Sequence, residues 1–152
     1  PTLVLNADDP SVAQLAEVAR GRVISFGVED NAVALPVAEH AADARFCRCG
    51  GSFEYTARFI GHVGHWRCAR CERRRSTPSV SARNVRLAED GARFDLCLPE
   101  VTVEITLPLA GLHSVYNALA SAAGALALGV PIMAALLGFI AARAPLAVGS
   151  GP

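Results

Sequence analysis

The segment that decides the fold is Thr2-Leu-Val-Leu5, followed by Asn6-Ala-Asp-Asp-Pro10. A short continuous apolar run of this kind is typical of a strand covered on both faces of a parallel sheet. Asp9 is a good N-cap and the proline after it suits the first helical position, so we expect a helix that ends at Gly21. Val23-Ile-Ser-Phe26 then predicts a second strand. Together these elements form a βαβ unit, whose crossover is expected to be right-handed.

The acidic turn after the first strand is a candidate ligand site. Asn6, Asp8 and Asp9 would follow the carboxyl end of a parallel strand, which is the edge where open α/β sheets bind their ligands. The alternative is structural, with Asp9 as a helix cap and Asp8 in an Asx-type turn. The local pattern by itself favours capping.

A second pattern consists of two cysteine pairs. Cys47-Arg-Cys49 and Cys68-Ala-Arg-Cys71 are separated by 18 residues. Such pairs suit a tetrahedral Zn²⁺ site in which each pair lies on a tight turn. Apolar residues between them are too sparse for a separate core, so something other than hydrophobic burial must hold this segment. Disulfides are the competing interpretation, but a reducing compartment favours thiolates on a metal.

The predicted zinc would be structural, because four thiolates leave no open coordination position. Cys47-x-Cys49 is one residue shorter than the usual Cys-x₂-Cys spacing. His62 and His65 lie between the two pairs and could replace a cysteine, but roles outside the coordination shell are the stronger expectation. Cys97 is interpreted as structural or incidental.

The second half of the chain predicts an antiparallel ribbon and then helices. Residues 94–98 and 101–107 alternate between apolar and polar side chains around a turn at Pro99-Glu100. The predicted inward residues are Phe94, Leu96, Leu98, Val101, Val103, Ile105 and Leu107.

A helix is expected to begin near His113. It would turn one stripe inward, namely Val115, Leu119, Ala122 and Leu126, and the opposite stripe outward, namely His113, Asn117 and Ser121. A last helix is predicted over residues 132–143. Residues 28–45 are expected to be a loop with at most one short strand.

Composition limits the chemistry that this chain can supply. All 14 basic residues are arginine, and 14 acidic residues balance them. Without lysine there is no Schiff base and no P-loop lysine on a nucleotide phosphate. With 52% hydrophobic residues and a mean hydropathy of +0.34, the chain is too apolar to be intrinsically disordered.

Two further function classes remain open at this point. Residues 45–75 carry eight arginines against two glutamates. A nucleic-acid-binding ribbon would use these arginines with neighbouring aromatic residues, namely Arg67, Arg70, Arg73, Arg74 and Arg75 with Phe53, Tyr55 and Trp66. A membrane-associated protein would be anchored through residues 118–142. Pro131 and several glycines interrupt that stretch, so we predict no transmembrane segment. No secretory signal opens the sequence, and a cytoplasmic location is expected.

In their order along the chain, these motifs resemble the MurT family, the Mur-ligase-like subunits of lipid II isoglutaminyl synthase. Leu5-Asn-Ala-Asp-Asp-Pro10 is similar to the acidic motif of that family's central domain. Residues 47–71, with Gly61-His-Val-Gly-His-Trp66 inside them, are similar to its inserted zinc ribbon. Arg75-Ser-Thr-Pro78 continues the similarity, and residues 109–130 resemble the adenine-side helix motif of Mur ligases. The similarity covers about residues 2–140.

The resemblance implies an α/β fold, namely part of a Mur ligase central, P-loop-type domain with an inserted four-cysteine zinc-ribbon subdomain. Residues 1–45 would form the βαβ portion and residues 46–76 the ribbon insertion. Residues 77–143 would complete the central domain with a β-ribbon and helices, and residues 144–152 would be a tail.

The resemblance also implies a function for the intact protein. ATP and Mg²⁺ would be used to phosphorylate the D-glutamate α-carboxyl of lipid II. Ammonia from a GatD-like glutaminase partner would then displace the phosphate to give D-isoglutamine. No nucleic-acid partner is implied, and the protein could lie at the inner face of the membrane through its lipid substrate.

Site residues are implied in the same way. Asn117, and secondarily His113, would lie at the nucleotide base, since an amide donates and accepts at once. Asn6, Asp8 and Asp9 would line the cleft of the central domain, with metal-bound water as a possible link. The sequence has no Gly-x₄-Gly-Lys-Ser/Thr loop, which in the family would precede Pro1. We therefore expect this chain alone to be inactive.

Overall fold

The computed structural model describes residues 1–36, 46–132 and 134. Within these residues the strands are β1 (Thr2–Asn6), β2 (Arg22–Val28), β3 (Phe53–Ile60), β4 (Val63–Cys68), β5 (Val80–Ala88), β6 (Gly91–Cys97) and β7 (Thr102–Leu107). The α-helices are α1 (Pro10–Ala13) and α2 (Leu112–Leu128). The predicted helix at 132–143, apart from residues 132 and 134, and the predicted tail lie outside the described residues.

The described strands form a five-stranded mixed sheet and a separate two-stranded hairpin. The sheet order is β1-β2-β5-β6-β7, and β3 pairs only with β4. β1 and β2 pair in parallel from Thr2 opposite Arg22 to Asn6 opposite Phe26, so the two predicted strands and their direction are confirmed. β2 also pairs in parallel with β5, and the β3–β4 hairpin lies between β2 and β5 in the chain.

The connection from β1 to β2 differs from the predicted helix. Asp9 does cap a helix that starts at Pro10, but α1 contains only four residues and a 3₁₀ helix follows it at Gln14–Val18. Leu15 and Val18 are 42% and 65% exposed, so this connection leaves its larger apolar side chains on the surface. The chain must then return beside the start of β1, where a Cβ on Gly21 would lie 2.0 Å from the carbonyl oxygen of Pro1.

The central strand β5 was not predicted by the sequence pattern. Its pairing with β6 shifts register between Arg83 and Arg86, and Asn84 has a positive φ of 50° inside the strand. A β-bulge places two successive residues out of alternation, so the period-2 signal is lost. Val80, Ala82 and Val85 are nevertheless buried.

The predicted ribbon is confirmed as β6 and β7, which pair in an antiparallel manner. Phe94, Leu96, Ile105 and Leu107 are buried on its inner face. Val101 is the exception, because it precedes the first residue of β7 and is 51% exposed.

Helix α2 packs across β1, β2, β5 and β6 and closes the core. Val115, Leu119 and Ala122 have no exposed surface, whereas His113 and Asn117 are exposed, as predicted. The helix ends at Gly129, whose φ of 69° is left-handed. Among the described residues, no helix is both long and apolar enough to cross a membrane.

Candidate functional site

The two cysteine pairs lie on tight turns that flank the β3–β4 hairpin, one before β3 and one at the end of β4. The first turn is closed by the Gly50 N–H, which donates to the Cys47 carbonyl at 2.8 Å. In the second, the Cys68 N–H donates to the carbonyl of Arg73 at 2.8 Å, and the Arg70 N–H donates to the Cys68 sulfur at 3.4 Å.

The four cysteine sulfurs meet in one cluster. The Sγ atoms of Cys49 and Cys68 are 3.5 Å apart, those of Cys47 and Cys71 are 3.8 Å apart, and all four lie within 4.8 Å of one another. These separations are far longer than a disulfide bond of about 2.05 Å. A tetrahedral zinc with Zn–S bonds of about 2.3 Å would hold its sulfurs about 3.8 Å apart. The donor set therefore fits zinc, and zinc itself stays a prediction.

The two histidines of the hairpin are engaged outside this cluster. The His65 ring nitrogen Nε2 donates to the carbonyl oxygen of Val28 at 2.8 Å. His62 Nε2 lies 3.2 Å from Asp9 Oδ2. Both contacts lie at the edge of the main sheet, away from the sulfurs.

The electrostatics of the cluster are asymmetric. Burial disfavours the Cys47 thiolate, but hydrogen bonds from the Cys49 N–H and the Arg73 guanidinium outweigh burial and lower the pKa of Cys47 to about 6. The Arg73 N–H favours the Cys71 thiolate, yet burial and the neighbouring sulfurs raise the pKa of Cys71 to about 12. Hydrogen bonds among the four sulfurs thus favour the thiolate of Cys47 and the protonated thiol of Cys71, and a central cation would favour the thiolate form of all four.

Asp8 is the most deeply buried acidic residue described, with no exposed surface. Its Oδ2 accepts hydrogen bonds from the Val28 N–H at 2.8 Å and the Tyr116 hydroxyl at 2.7 Å. Its Oδ1 accepts a hydrogen bond from Arg75 Nε at 2.5 Å, and the same guanidinium pairs with Glu29 at 2.6 Å. Burial, followed by the Asp8 charge, raises the pKa of Tyr116, so its hydroxyl stays a donor.

In this structure the Asp8 carboxylate has no exposed surface and is occupied by three internal donors. Its role as a cofactor residue stays a prediction. Asp8 is not in an Asx-type turn: that turn belongs to Asn6, whose Oδ1 accepts from the Asp8 N–H at 3.0 Å. Sequence reasoning missed Glu29 and Tyr116 as members of this network.

Asp9 has the predicted capping role and one further contact. Its Oδ1 accepts from the N–H groups of Ser11 and Val12 at 2.8 and 3.3 Å. Its Oδ2 faces His62, and its side chain is 17% exposed. Of the two aspartates, Asp9 alone is accessible to a ligand at this turn, and that role stays a prediction.

Strand β4 covers the carboxyl ends of β1 and β2. The Trp66 indole N–H donates to the carbonyl of Ala7 at 2.9 Å, and the Gly64 N–H donates to the carbonyl of Asp8 at 2.8 Å. Since His65 donates to Val28, three consecutive residues of β4 are bonded to the main sheet or to the turn after β1. The hairpin thus lies over the edge at which open sheets bind ligands.

The predicted nucleotide residues lie elsewhere, on the outward stripe of α2. His113 and Asn117 are both exposed. Tyr116, next to Asn117, donates to Asp8, and together with the buried stripe of Val115, Leu119 and Ala122 this bond orients the helix that presents Asn117.

Most of the arginines proposed for nucleic acid have polar partners within the fold, although Arg67 is 68% exposed in its ion pair. Arg67 pairs with Glu54 at 2.8 Å, Arg70 donates to the Cys49 carbonyl, and Arg75 lies on Asp8. Trp66 is only 6% exposed and packs edge-on against Phe53, so it offers no face for base stacking.

No family model matches the chain. Among curated proteins, it is 27% identical over 128 residues to the UDP-N-acetylmuramoyl-L-alanyl-D-glutamate–2,6-diaminopimelate ligase of Bacillus licheniformis. It is 33% identical over 131 residues to the UDP-N-acetylmuramate–L-alanine ligase of Xylella fastidiosa. Each match covers 84% of this chain and 17% of the relative, so the chain spans about a sixth of the length of these relatives.

Solved structures give a concordant result. A pseudomurein peptide ligase type C from Methanothermus fervidus matches with a TM-score of 0.73 and 31% identity, over 91% of this chain and 26% of that one. MurF from Acinetobacter baumannii matches with a TM-score of 0.54 and 22% identity, over 91% of this chain and 20% of that one, which shows the fold alone. The described residues thus have a mixed α/β fold that resembles Mur ligase domains.

The cysteine cluster gives a first testable prediction. We expect the purified chain to contain about one zinc, with four thiols that react only after chelation. Cys49→Ser should abolish zinc binding, whereas Cys97→Ser, which changes the one cysteine outside the cluster, should retain it. Elemental analysis with thiol titration measures both. Absence of zinc, or equal loss in the two variants, would contradict the prediction.

The hydrogen bonds that the Asp8 carboxylate accepts give a second testable prediction. Tyr116→Phe should destabilise the fold by about 1–3 kcal/mol, because a buried carboxylate loses a donor. Tyr55→Phe is the matched control, since the buried Tyr55 hydroxyl has no hydrogen-bond partner among the residues that the structure describes, and its removal should change the free energy of unfolding little. Denaturant unfolding measures the free energy of unfolding for both. Equal destabilisation would show that the Tyr116 bond to Asp8 contributes nothing specific.

Proposed function

We propose that the chain belongs to a Mur ligase-family protein, and that the intact protein is an ATP-dependent amide ligase of peptidoglycan synthesis. We further propose that it amidates the D-glutamate α-carboxyl of lipid II to D-isoglutamine. The observation that supports the finer proposal is the four-cysteine hairpin between β2 and β5, which resembles the inserted ribbon of the isoglutaminyl synthase subunits.

ATP would supply the phosphoryl group that activates the carboxyl, with Mg²⁺ on its phosphates. Asn117 is the residue that we place at the nucleotide base, where its amide donates and accepts at once, with His113 beside it on the same exposed stripe. This chain has no lysine, so a phosphate-binding lysine would come from outside these 152 residues. The zinc would be structural, and the hairpin that holds it would shield the carboxyl ends of β1 and β2 from water.

The proposed partners follow from the reaction. An ammonia-dependent ligase needs a source of ammonia, and a GatD-like glutaminase would supply it. Lipid II would bring the protein to the inner face of the membrane. Neither partner requires a spanning helix.

A second candidate function is the addition of an amino acid in place of ammonia. It is favoured by the names of the similar proteins, which are ligases for L-alanine, for 2,6-diaminopimelate and for pseudomurein peptide. The two candidates differ in the nucleophile that attacks the activated carboxyl, so the same assay separates them.

The assay uses the full-length protein with its glutaminase, lipid II, ATP and Mg²⁺. With glutamine, we expect phosphate release and a product in which one hydroxyl has been replaced by an amino group, as seen by mass spectrometry. Ammonium salts should bypass the glutaminase. A product that forms only with an added amino acid would establish the second candidate, and absence of product with either nucleophile would reject both.

Asn117 can be tested in the same assay. Asn117→Ala should raise the KM for ATP by about tenfold, since a hydrogen bond of about 1.4 kcal/mol would be lost. Ser121→Ala, one turn further along the same stripe, serves as the control and should leave the KM near its original value. An unchanged KM in Asn117→Ala would remove this residue from the proposed nucleotide site.

A further inference from the structure

Arg73 contacts the cysteine cluster and the connection after β1 at the same time. Its Nε and Nη2 donate to the two carboxylate oxygens of Glu17 at 2.5 and 2.8 Å. Its Nη1 donates to the sulfur of Cys47 at 3.5 Å. Glu17 belongs to the 3₁₀ helix Gln14–Val18, which follows the acidic turn.

The contact between Arg73 and Cys47 would offset the negative charge of the predicted metal centre. Four thiolates around one Zn²⁺ carry a net charge of about −2, and hydrogen bonds to the sulfurs stabilise such a centre. Two further hydrogen bonds to cluster sulfurs come from backbone N–H groups of this turn, that of Arg70 to Cys68 and that of Arg73 to Cys71. The Arg70 guanidinium donates to the Cys49 carbonyl and to no cluster sulfur that the structure describes. In the part of the chain that the structure describes, Arg73 thus brings a cationic side chain onto a cluster sulfur.

The bidentate pair with Glu17 determines where that cation points. A guanidinium has a rigid planar fork, so a carboxylate that accepts from Nε and Nη2 leaves Nη1 aimed in a fixed direction. Here that direction is the Cys47 sulfur. An ordinary exposed ion pair would be worth little, and both partners are partly exposed at 33% and 41%. The geometry differs from an ordinary pair because the third nitrogen has a specific acceptor.

We propose that Arg73 is a positioning residue of the metal centre, and that its pair with Glu17 couples metal binding to the order of residues 14–18. Metal binding would then stabilise two segments, the hairpin that supplies the ligands and the connection between β1 and β2. The proposal rests on zinc binding by this chain and does not depend on ligase activity, so the two can fail separately.

The first test measures zinc transfer from the loaded chain to a chromophoric chelator. Arg73→Gln should release zinc about tenfold faster, which is the lower range for loss of a residue that hydrogen-bonds a metal ligand. Glu17→Gln should also accelerate release, and the double variant should be no faster than Arg73→Gln alone, because Glu17 acts through Arg73. Arg67→Gln and Glu54→Gln are the controls. Each breaks an exposed ion pair on the same hairpin, and this pair makes no described contact with a sulfur, so both variants should release zinc at the original rate.

The second test measures amide hydrogen exchange with and without zinc. Chelation should accelerate exchange in residues 47–71 and also in residues 14–18. In Glu17→Gln, exchange in residues 14–18 should no longer respond to chelation, while residues 47–71 still respond. Glu17 is exposed, so this variant is expected to fold even if Arg73→Gln does not.

The proposal is overturned by any of three results. A chain that binds no zinc removes its basis. If amide exchange in residues 14–18 is the same with and without zinc, metal binding is not coupled to the order of that segment. Additive effects of Glu17→Gln and Arg73→Gln on zinc release show that Glu17 does not act through Arg73.

Discussion

The buried carboxylate of Asp8 is the interaction on which the rest of the structure depends. Removing a charge from water costs several kcal/mol unless partners replace the lost hydration. Asp8 obtains a guanidinium, a hydroxyl and a backbone N–H, all between 2.5 and 2.8 Å. These donors come from the end of β2, from the segment after the hairpin and from α2. One side chain therefore holds together four parts of the chain that meet at the carboxyl edge of the sheet.

The hairpin can be understood as a segment held in two places. A two-stranded hairpin is marginal by itself in water. At one end of the hairpin the four cysteine sulfurs lie close together. Along β4, Gly64, His65 and Trp66 are hydrogen-bonded to the main sheet or to the turn after β1. Phe59 is 1% exposed and joins the main core. The hairpin is therefore not an independent appendage, because its buried side chains and its backbone bonds belong to the same sheet that Asp8 organises.

The sequence predicts those parts of this fold whose signals are local. The apolar run of β1, the alternation of β6 and β7 and the two stripes of α2 follow from periodicity, and the spacing of the cysteines predicts that they lie on two turns. β5 could not be recognised, because its bulge at Arg83 to Arg86 destroys the alternation. The partners of Asp8 could not be recognised either, since they lie 20, 67 and 108 residues away. A buried aspartate is expected to pair with a cation, and the run Arg73-Arg-Arg75 offers three candidates. Only the packed structure shows that Arg75 pairs with Asp8, whereas Arg73 pairs with Glu17.

The covered strand ends restrict where this fold can bind a ligand. Open α/β sheets bind ligands beyond the carboxyl ends of their strands, but here β4 lies over the ends of β1 and β2. Among the candidate residues, His113 and Asn117 on the outer stripe of α2 are exposed, and Asn6 and Asp9 in the turn after β1 are partly exposed. Asp9 and Asp8 are consecutive in the chain, and Asn117 follows Tyr116, which donates to Asp8. The two places that a ligand could reach, the turn after β1 and the outer stripe of α2, therefore each lie next to a member of the hydrogen bonds around Asp8.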